Sequence, residues 1–320
     1  MSITWSNSRD QALQACERRF YFQYLTNARI NSKEEILREI AFLKKLKNIP
    51  LWKGEIFHSV IADYLRRIRQ GMHPICEGLI EELRKRMTYQ WAYSAEKRFR
   101  LDPKSIGGDG AVALFEHEYN ENPGQDIEQI IEEVANWIVP FVAWIEHRNL
   151  QDMIREAGKV WIEPRAYGPQ APGFKIDNVQ VLIKVDLALL SSDKKFNIFD
   201  WKTGKLPSFP SGQINQSEFQ IYVYQLWPHK AFGHPLDSIT AHLVYVSINP
   251  PHEKNYDIDQ NLREYAMGLL RRSVTRIEHF CKSHGEGRLG LNNLDFALLP
   301  GVCLQCSFKR LCQRMIEDGR

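Results

Sequence analysis

Asp186, Asp200 and Lys202 are the residues whose placement first points to chemistry. The polar run Ser191-Ser192-Asp193-Lys194 separates two apolar stretches, and a turn there folds the flanking strands back antiparallel about a centre near residue 193. That register sets Asp186 opposite Asp200, within one residue, where directly opposed Cβ atoms stand roughly 4.5 to 5.5 Å apart. Alternation along the strand sends Lys202 to the face of Asp200 and Trp201 to the other. Facing carboxylates repel, and one pKa rises, unless a cation sits between them. Two carboxylates with a backbone carbonyl and water make a hard oxygen site that suits Mg²⁺ or Mn²⁺. Such an ion polarises a phosphoryl oxygen and lowers the pKa of a water, and Lys202 could orient that water or neutralise charge developing on the phosphate. The chemistry implied is phosphodiester hydrolysis. Against this, an Asp-x-Lys tripeptide arises about once by chance in a chain of this length, and a solvated hairpin edge often carries charges.

The neighbours strengthen the first reading. Thr203-Gly204 gives the second strand a sharp exit, and the helix expected next presents Gln220 and Tyr224 four apart on one face. His58, on an early helix among apolar neighbours, reads first as a satisfied half-buried histidine and second as a ligand.

A second constellation is made of cysteines, which stand at positions 16, 76, 281, 303, 306 and 312. Cys303-Leu304-Gln305-Cys306 followed by Cys312 is C-x2-C-x5-C, too dense for unrelated core residues, and in a reducing compartment such clustering suggests a metal centre. Structural zinc usually draws on two close ligand pairs. Here a distant cysteine must supply the fourth ligand, as iron–sulfur clusters permit, so the spacing favours iron–sulfur over zinc. Cys16, beside Arg18 and Arg19, is the candidate, because Cys76 near a helix start and Cys281 late in a long helix are explained as ordinary core residues. Joining Cys16 to Cys303 closes a loop of nearly the whole chain; closure entropy grows only logarithmically with length, so this staple should be strongly stabilising.

These residues need elements to position them. Ser8 with Gln11 has capping-box spacing, and Leu13, Cys16, Phe20 and Tyr24 recur on one helical face, which turns Cys16 inward. Amphipathic patterns predict further helices over about 33–47, from 54 through Ile61, Leu65 and Ile68, from Pro74 to about 98, and over 127–149, where Pro140 is expected to introduce a kink. The stretch 101–123, rich in Gly, Asp and Asn, reads as a mobile loop. After Gly158 the pattern changes to strands over 159–167, 179–190, 195–201 and 238–246. A helix over about 216–226, with Ser217 and Gln220 at capping-box spacing, interrupts them. A long helix over about 258–282 and a cysteine loop over 301–312 close the chain. The expected architecture is a small mixed sheet with helices on it, preceded by a helical insertion.

Composition bounds the rest. The chain has 320 residues, long enough for two domains or one with an insertion, and its 43% hydrophobic and 25% charged residues are those of a globular protein rather than a disordered or collagen-like one. A formal net charge of +3 advertises no global basic field, so any nucleic-acid contact must use local patches. The longest nearly apolar run, Trp137 to Ile145, contains Pro140 and is far short of the roughly 20 residues that cross a bilayer. No membrane partner is therefore expected. With no basic-then-apolar opening segment, the expected location is cytoplasmic.

Taken in order, His58 after Gly54, Asp186, Asp200-Trp201-Lys202-Thr203-Gly204, Gln220 to Tyr224, and one early plus three late cysteines resemble the PD-(D/E)XK nuclease superfamily. The similarity is to its RecB-like iron–sulfur branch, which includes nuclease domains of AddB-type repair proteins and CRISPR adaptation nucleases; the opening Ser6 to Leu25, with Cys16-Glu17-Arg18-Arg19-Phe20-Tyr21, also looks like that branch. The resemblance implies an α/β (mixed α+β) fold: a restriction-endonuclease-like core with a small mixed sheet flanked by helices, a large helical insertion, and a cluster joining the N- and C-terminal segments. The corresponding parts are residues 1–69, 70–157, 158–283 and 284–320. It implies metal ligation by His58, Asp186 and Asp200, a catalytic Lys202, and Gln220 with Tyr224 as the Q-x-x-x-Y helix near DNA. Cys16, Cys303, Cys306 and Cys312 would hold a [4Fe-4S] cluster, and Glu163 would be an accessory acidic residue. The branch cuts DNA, commonly single-stranded and often from an end, in repair, recombination or defence, with a helicase or another such protein as partner. Trp201, Tyr222, Tyr224 and Trp227 are available for base stacking, though each reads first as core, and Lys205 and Arg165 for phosphate contact. Two departures stand out: Ile183 occupies a position where the branch often has Gly, and the helical stretch of about 70–155 exceeds that of minimal nucleases. The competing functions are a non-catalytic DNA-binding or assembly module of a helicase–nuclease complex, and an iron–sulfur redox protein.

Overall fold

The computed structural model describes residues 3–107, 110–165, 171–206, 214–285 and 293–317. The chain divides into two compact units. The first comprises residues 1–52, 86–127 and 273–320, the second 53–85 and 128–272. Among the described residues no helix is long and apolar enough to cross a membrane.

In the first unit, a two-residue strand β1 (Thr4–Trp5) leads into the helix Asn7–Ala15. Its cap is Ser6, whose side chain accepts from the Arg9 amide, rather than Ser8 with Gln11; both positions have a suitable side chain, and the extended backbone at Ser6 decides. The expected continuous helix through Tyr24 is broken at Cys16, which is extended (φ −169°, ψ 121°) and caps a new helix, Glu17–Phe20, by accepting from the Arg19 amide through its sulfur. A π-helical turn, Tyr21–Leu25, follows. Helical periodicity continues across the break because Phe20 in the new helix and Phe22 in the π-helical turn are both buried, so the pattern conceals the interruption.

The stretch expected as a mobile loop, 101–123, is mostly tied down where it is described. Ala113 and Phe115 bracket Lys47 through backbone hydrogen bonds of 3.0 and 2.8 Å, and the helix Phe115–Tyr119 packs into the cluster of Phe22, Phe42, Phe99 and Phe308. The segment's polar composition conceals that Ile106, Val112 to Phe115 and Tyr119 are buried. The expected cysteine loop is two short helices, Pro300–Leu304 and Lys309–Glu317, with Cys306 between them.

The second unit holds the main sheet. Strands β2 (Lys159–Ile162), β5 (Leu187–Leu190), β6 (Phe196–Lys202), β7 (Ile239–Tyr245) and β8 (His252–Asp257) lie in that order, and only β6 and β7 are parallel. A parallel pair needs a crossover, which is the helix Gln216–Phe232. It starts at a capping box of Asn215 and Glu218, not Ser217 and Gln220, and ends at Gly233, whose φ of 72° suits glycine. Both pairs satisfy the spacing rule, so spacing alone could not choose between them.

The run expected as one strand over 179–190 divides in two. β4 (Val179–Leu182) pairs with β3 (Gly173–Ile176), the chain leaves regular structure over 183–186, and β5 joins the main sheet. An unbroken apolar run does not reveal where a chain changes partners. β3 was not legible in the sequence; at Gly173 any Cβ would collide with the Val181 carbonyl oxygen, so glycine permits this close pairing. Of the strand expected over 159–167, residues 159–162 form β2, while 166 and 167 lie outside the described residues. β8 carries no strand pattern in the sequence, because His252, Lys254 and Asn255 are exposed and Tyr256 alone of its residues is buried, the dress of a charged edge strand.

Trp201, Tyr222, Tyr224 and Trp227 are all buried, so they build the core and do not present rings to a base. Trp201, 2% exposed, meets Phe141 edge-on with ring centroids 5.0 Å apart. Trp201→Ala is expected to lower stability by about 3–5 kcal/mol, read as a fall in the denaturant midpoint with an unchanged slope; a variant of wild-type stability with weaker DNA binding would instead mark Trp201 as a stacking residue.

Candidate active site

The β5–β6 hairpin takes the expected register, with Leu187 opposite Phe199 and Leu190 opposite Phe196. Asp186, in the bend just before β5, is thereby brought to the level of Asp200. The Trp201 amide donates to Asp186 Oδ2 at 2.7 Å, and the Glu163 amide donates to the Asp186 carbonyl oxygen at 2.9 Å. Backbone from both neighbouring strands therefore fixes this aspartate.

His58, on the helix Ile49–Arg69, places Nδ1 2.9 Å from Asp186 Oδ1 and 3.6 Å from Glu163 Oε1. One ligand atom each from His58, Glu163 and Asp186 lies within 4.8 Å of the others. Glu163, just past the end of β2, has φ of 38°, a left-handed conformation that costs a non-glycine residue of order 1 kcal/mol or more and recurs at functional sites. The helix reaches this position because Gly54 lies one turn before His58; a Cβ there would stand 3.1 Å from Thr203 Oγ1, tighter than ordinary contact.

Asp200 and Lys202 share the other part of the site. Lys202 Nζ lies 2.6 Å from Asp200 Oδ2 and donates to Gln220 Oε1 at 2.9 Å. Gln220 Nε2 donates to the Tyr224 hydroxyl at 2.6 Å, which donates to the Lys184 carbonyl oxygen at 2.7 Å. A relay thus runs from the lysine through the helix to the backbone beside Asp186, and Lys184 is a member of it that the sequence did not indicate. Asp200 is buried, with its Oδ2 held against the Lys202 ammonium.

The electrostatics describe a pocket with more negative charge than burial tolerates. Burial, with the charge of Asp186, pushes both Asp200 and Glu163 above the usual carboxylate range, and Lys202 and His58 only partly oppose this. Burial alone would lower the His58 pKa, but Asp186, Glu163 and Asp200 together raise it. Burial pushes the Tyr224 hydroxyl well above its ordinary value.

These donors fit a hard divalent cation. Ligand atoms held at about 2.0–2.2 Å in an octahedral shell stand about 3 Å apart along an edge, and the 2.9 and 3.6 Å separations at His58 lie near that spacing. Asp200 is not in the group of three; it stands beside it, within reach of the charges of both Asp186 and His58. The acidic residue expected as accessory, Glu163, is the one that completes the close set.

A model of the PD-(D/E)XK nuclease superfamily matches residues 4–313. The chain belongs to the PD-(D/E)XK nuclease superfamily. Its fold, a mixed sheet flanked by helices, agrees, and nucleases of this superfamily generally use divalent metal ions. Two solved structures are similar. A candidate exonuclease from Eubacterium rectale is 12% identical, with TM-score 0.46, covering 97% of this chain and 88% of that one. The protein SSO0001 is 12% identical, with TM-score 0.28, covering 73% of this chain and 84% of that one. At these values neither likeness bears on the chemistry of this PD-(D/E)XK chain. No curated protein matches it.

In the first unit, Cys16, Cys303, Cys306 and Cys312 line one largely apolar cavity of about 520 Å³, together with Arg18 and Phe296. Burial pushes the Cys306 thiol up to about 11 and raises that of Cys312. Cys76 does not line it, nor does Cys281.

Proposed function

We propose that this PD-(D/E)XK protein is a divalent-metal-dependent deoxyribonuclease of the RecB-like iron–sulfur branch, acting in the cytoplasm on single-stranded DNA from an end, alongside a helicase or another repair or defence protein. The observation that carries the metal-dependent chemistry is the meeting of His58, Glu163 and Asp186 within 4.8 Å beside the Asp200–Lys202 pair. A Mg²⁺ or Mn²⁺ ion held there supplies polarisation of the scissile phosphate and a water of lowered pKa. His58, Glu163 and Asp186 would be its ligands, and Asp200, buried and within reach of the charges of Asp186 and His58, the further ligand or the acceptor that orients water. Lys202 stabilises charge that develops on the phosphate, held in place by Gln220, which Tyr224 holds in turn. Lys205 and Arg165, both exposed, are positioned in sequence next to the motif strands for phosphate contact.

Cys16, Cys303, Cys306 and Cys312 are the proposed ligands of a [4Fe-4S] cluster. The four cysteines line one cavity, and three close ligands with one distant one is an arrangement that iron–sulfur clusters permit.

The assay is anaerobic digestion of end-labelled single- and double-stranded DNA. Products shortening from one end of single strands with Mn²⁺, and none after chelation, are expected. Binding that survives chelation without shortened products would replace this reading with that of a non-catalytic module.

A further inference from the structure

Arg18, on the short helix that Cys16 caps, is 4% exposed. Burying a guanidinium is costly unless an anion takes over from water. Its Nε donates to the Leu294 carbonyl oxygen at 3.2 Å, and the guanidinium lies 3.9 Å from the centroid of the Phe296 ring. A terminal nitrogen points at Cys312 Sγ, 3.9 Å away. Among the described residues no carboxylate reaches ion-pair distance of it: the adjacent Glu17 accepts the Asp295 amide at 2.9 Å instead. A carbonyl dipole and a ring face offset only part of a full charge, and a neutral thiol is a weak acceptor. The remaining partner in reach is Cys312, one of four cysteines lining the cavity.

Other cations line the same cavity, but they are already provided for. Lys309 pairs with Glu121, Arg310 donates to the Tyr119 carbonyl oxygen, and Arg19 is exposed. The backbone N–H of Arg19 donates to Cys16 Sγ at 3.4 Å, so the turn that carries Arg18 serves two of the sulfurs.

We propose that Arg18 is a positioning residue for the iron–sulfur centre: it compensates the centre's negative charge through Cys312 and thereby sets its reduction potential. This rests on the cluster reading above. Four thiolates around a four-iron core leave a net negative charge that grows by one on reduction, and a buried cation with an N–H directed at a ligating sulfur favours the reduced form.

The test compares wild type, Arg18→Lys and Arg18→Gln, each full-length and purified anaerobically, by iron and acid-labile sulfide content, by electron paramagnetic resonance of the reduced state and by redox titration. Wild type is expected to hold four irons and four sulfides. Arg18→Gln is expected to keep a cluster whose reduced form is disfavoured at least tenfold, a downward shift of about 59 mV for one electron, and Arg18→Lys to recover most of that shift. Loss of the cluster from Arg18→Gln but not from Arg18→Lys supports the same charge role. Equal potentials in all three chains, or loss from both variants while the chain stays folded by circular dichroism, would overturn it. Absence of iron and sulfide from wild type would instead remove the cluster reading itself.

Discussion

Lys202→Ala is expected to reduce Mn²⁺-dependent DNA cleavage by roughly 10²–10³-fold, the usual effect of removing one charge-stabilising group from a closed site. The loss should fall on the single-turnover rate at saturating metal and DNA. The reason is spatial: the lysine touches Asp200 and Gln220, not the His58–Glu163–Asp186 set. Half-saturation by Mn²⁺ should therefore move little. Some stability will also be lost, because the substitution leaves Asp200 buried without its cation, at a cost of about 1–3 kcal/mol; the assay is run well below the variant's melting temperature. Cleavage at the wild-type rate would remove Lys202 from the chemistry. A variant with normal rate but a large rise in the Mn²⁺ requirement would make it a device for holding the metal site together.

The hairpin that creates this arrangement was legible in the sequence because two apolar runs flank a short polar turn, and a period-two pattern leaves little freedom of register once both faces are buried. Asp200 and Lys202 on one face, with Trp201 on the other, follow from that alone; the contact of Trp201 with Phe141 does not. Glu163 was harder. Nothing local distinguishes a glutamate at a strand end from any solvated one, and its approach to His58 depends on the pairing of β2 with β5 and on a left-handed backbone. The break at Cys16 was hidden for a different reason: apolar residues keep helical spacing on both sides of it, while the residue that ends one helix begins the next. Likewise Asn215 with Glu218 and Ser217 with Gln220 both satisfy the cap rule, and the geometry in which Gln220 meets Lys202 is the one in which it does not serve as a cap. The cysteine spacing pointed to one gathering place, and the four do line one cavity, but the buried arginine beside them has no sequence signature beyond its place two residues after Cys16.

Cys16→Ser is expected to lose the iron and sulfide and to destabilise the first unit by about 3–5 kcal/mol, the scale of a removed long-range cross-link. The cost follows from connectivity. Cys16 lies at the start of the chain and its proposed co-ligands in the closing helices, so the centre would tie together segments otherwise joined by contacts such as those of Phe22 and Phe308. Thermal melting should show an early transition absent from wild type, and chelation of iron from wild type should reproduce it. Cys281→Ser, half-buried in the same unit but away from the cavity, is the control and should keep its iron. If Cys16→Ser retains full iron and melts with wild type, the early cysteine is not a ligand.

The most direct test of the central claim is crystallography of the protein soaked with Mn²⁺, using anomalous scattering to locate the ion. A peak about 2.0–2.3 Å from His58 nitrogen and from oxygens of Glu163 and Asp186, with Lys202 on the adjoining side, is the predicted result. Mn²⁺ bound elsewhere, or carboxyl groups of Asp186 and Asp200 turned to opposite sides of the sheet, would contradict it.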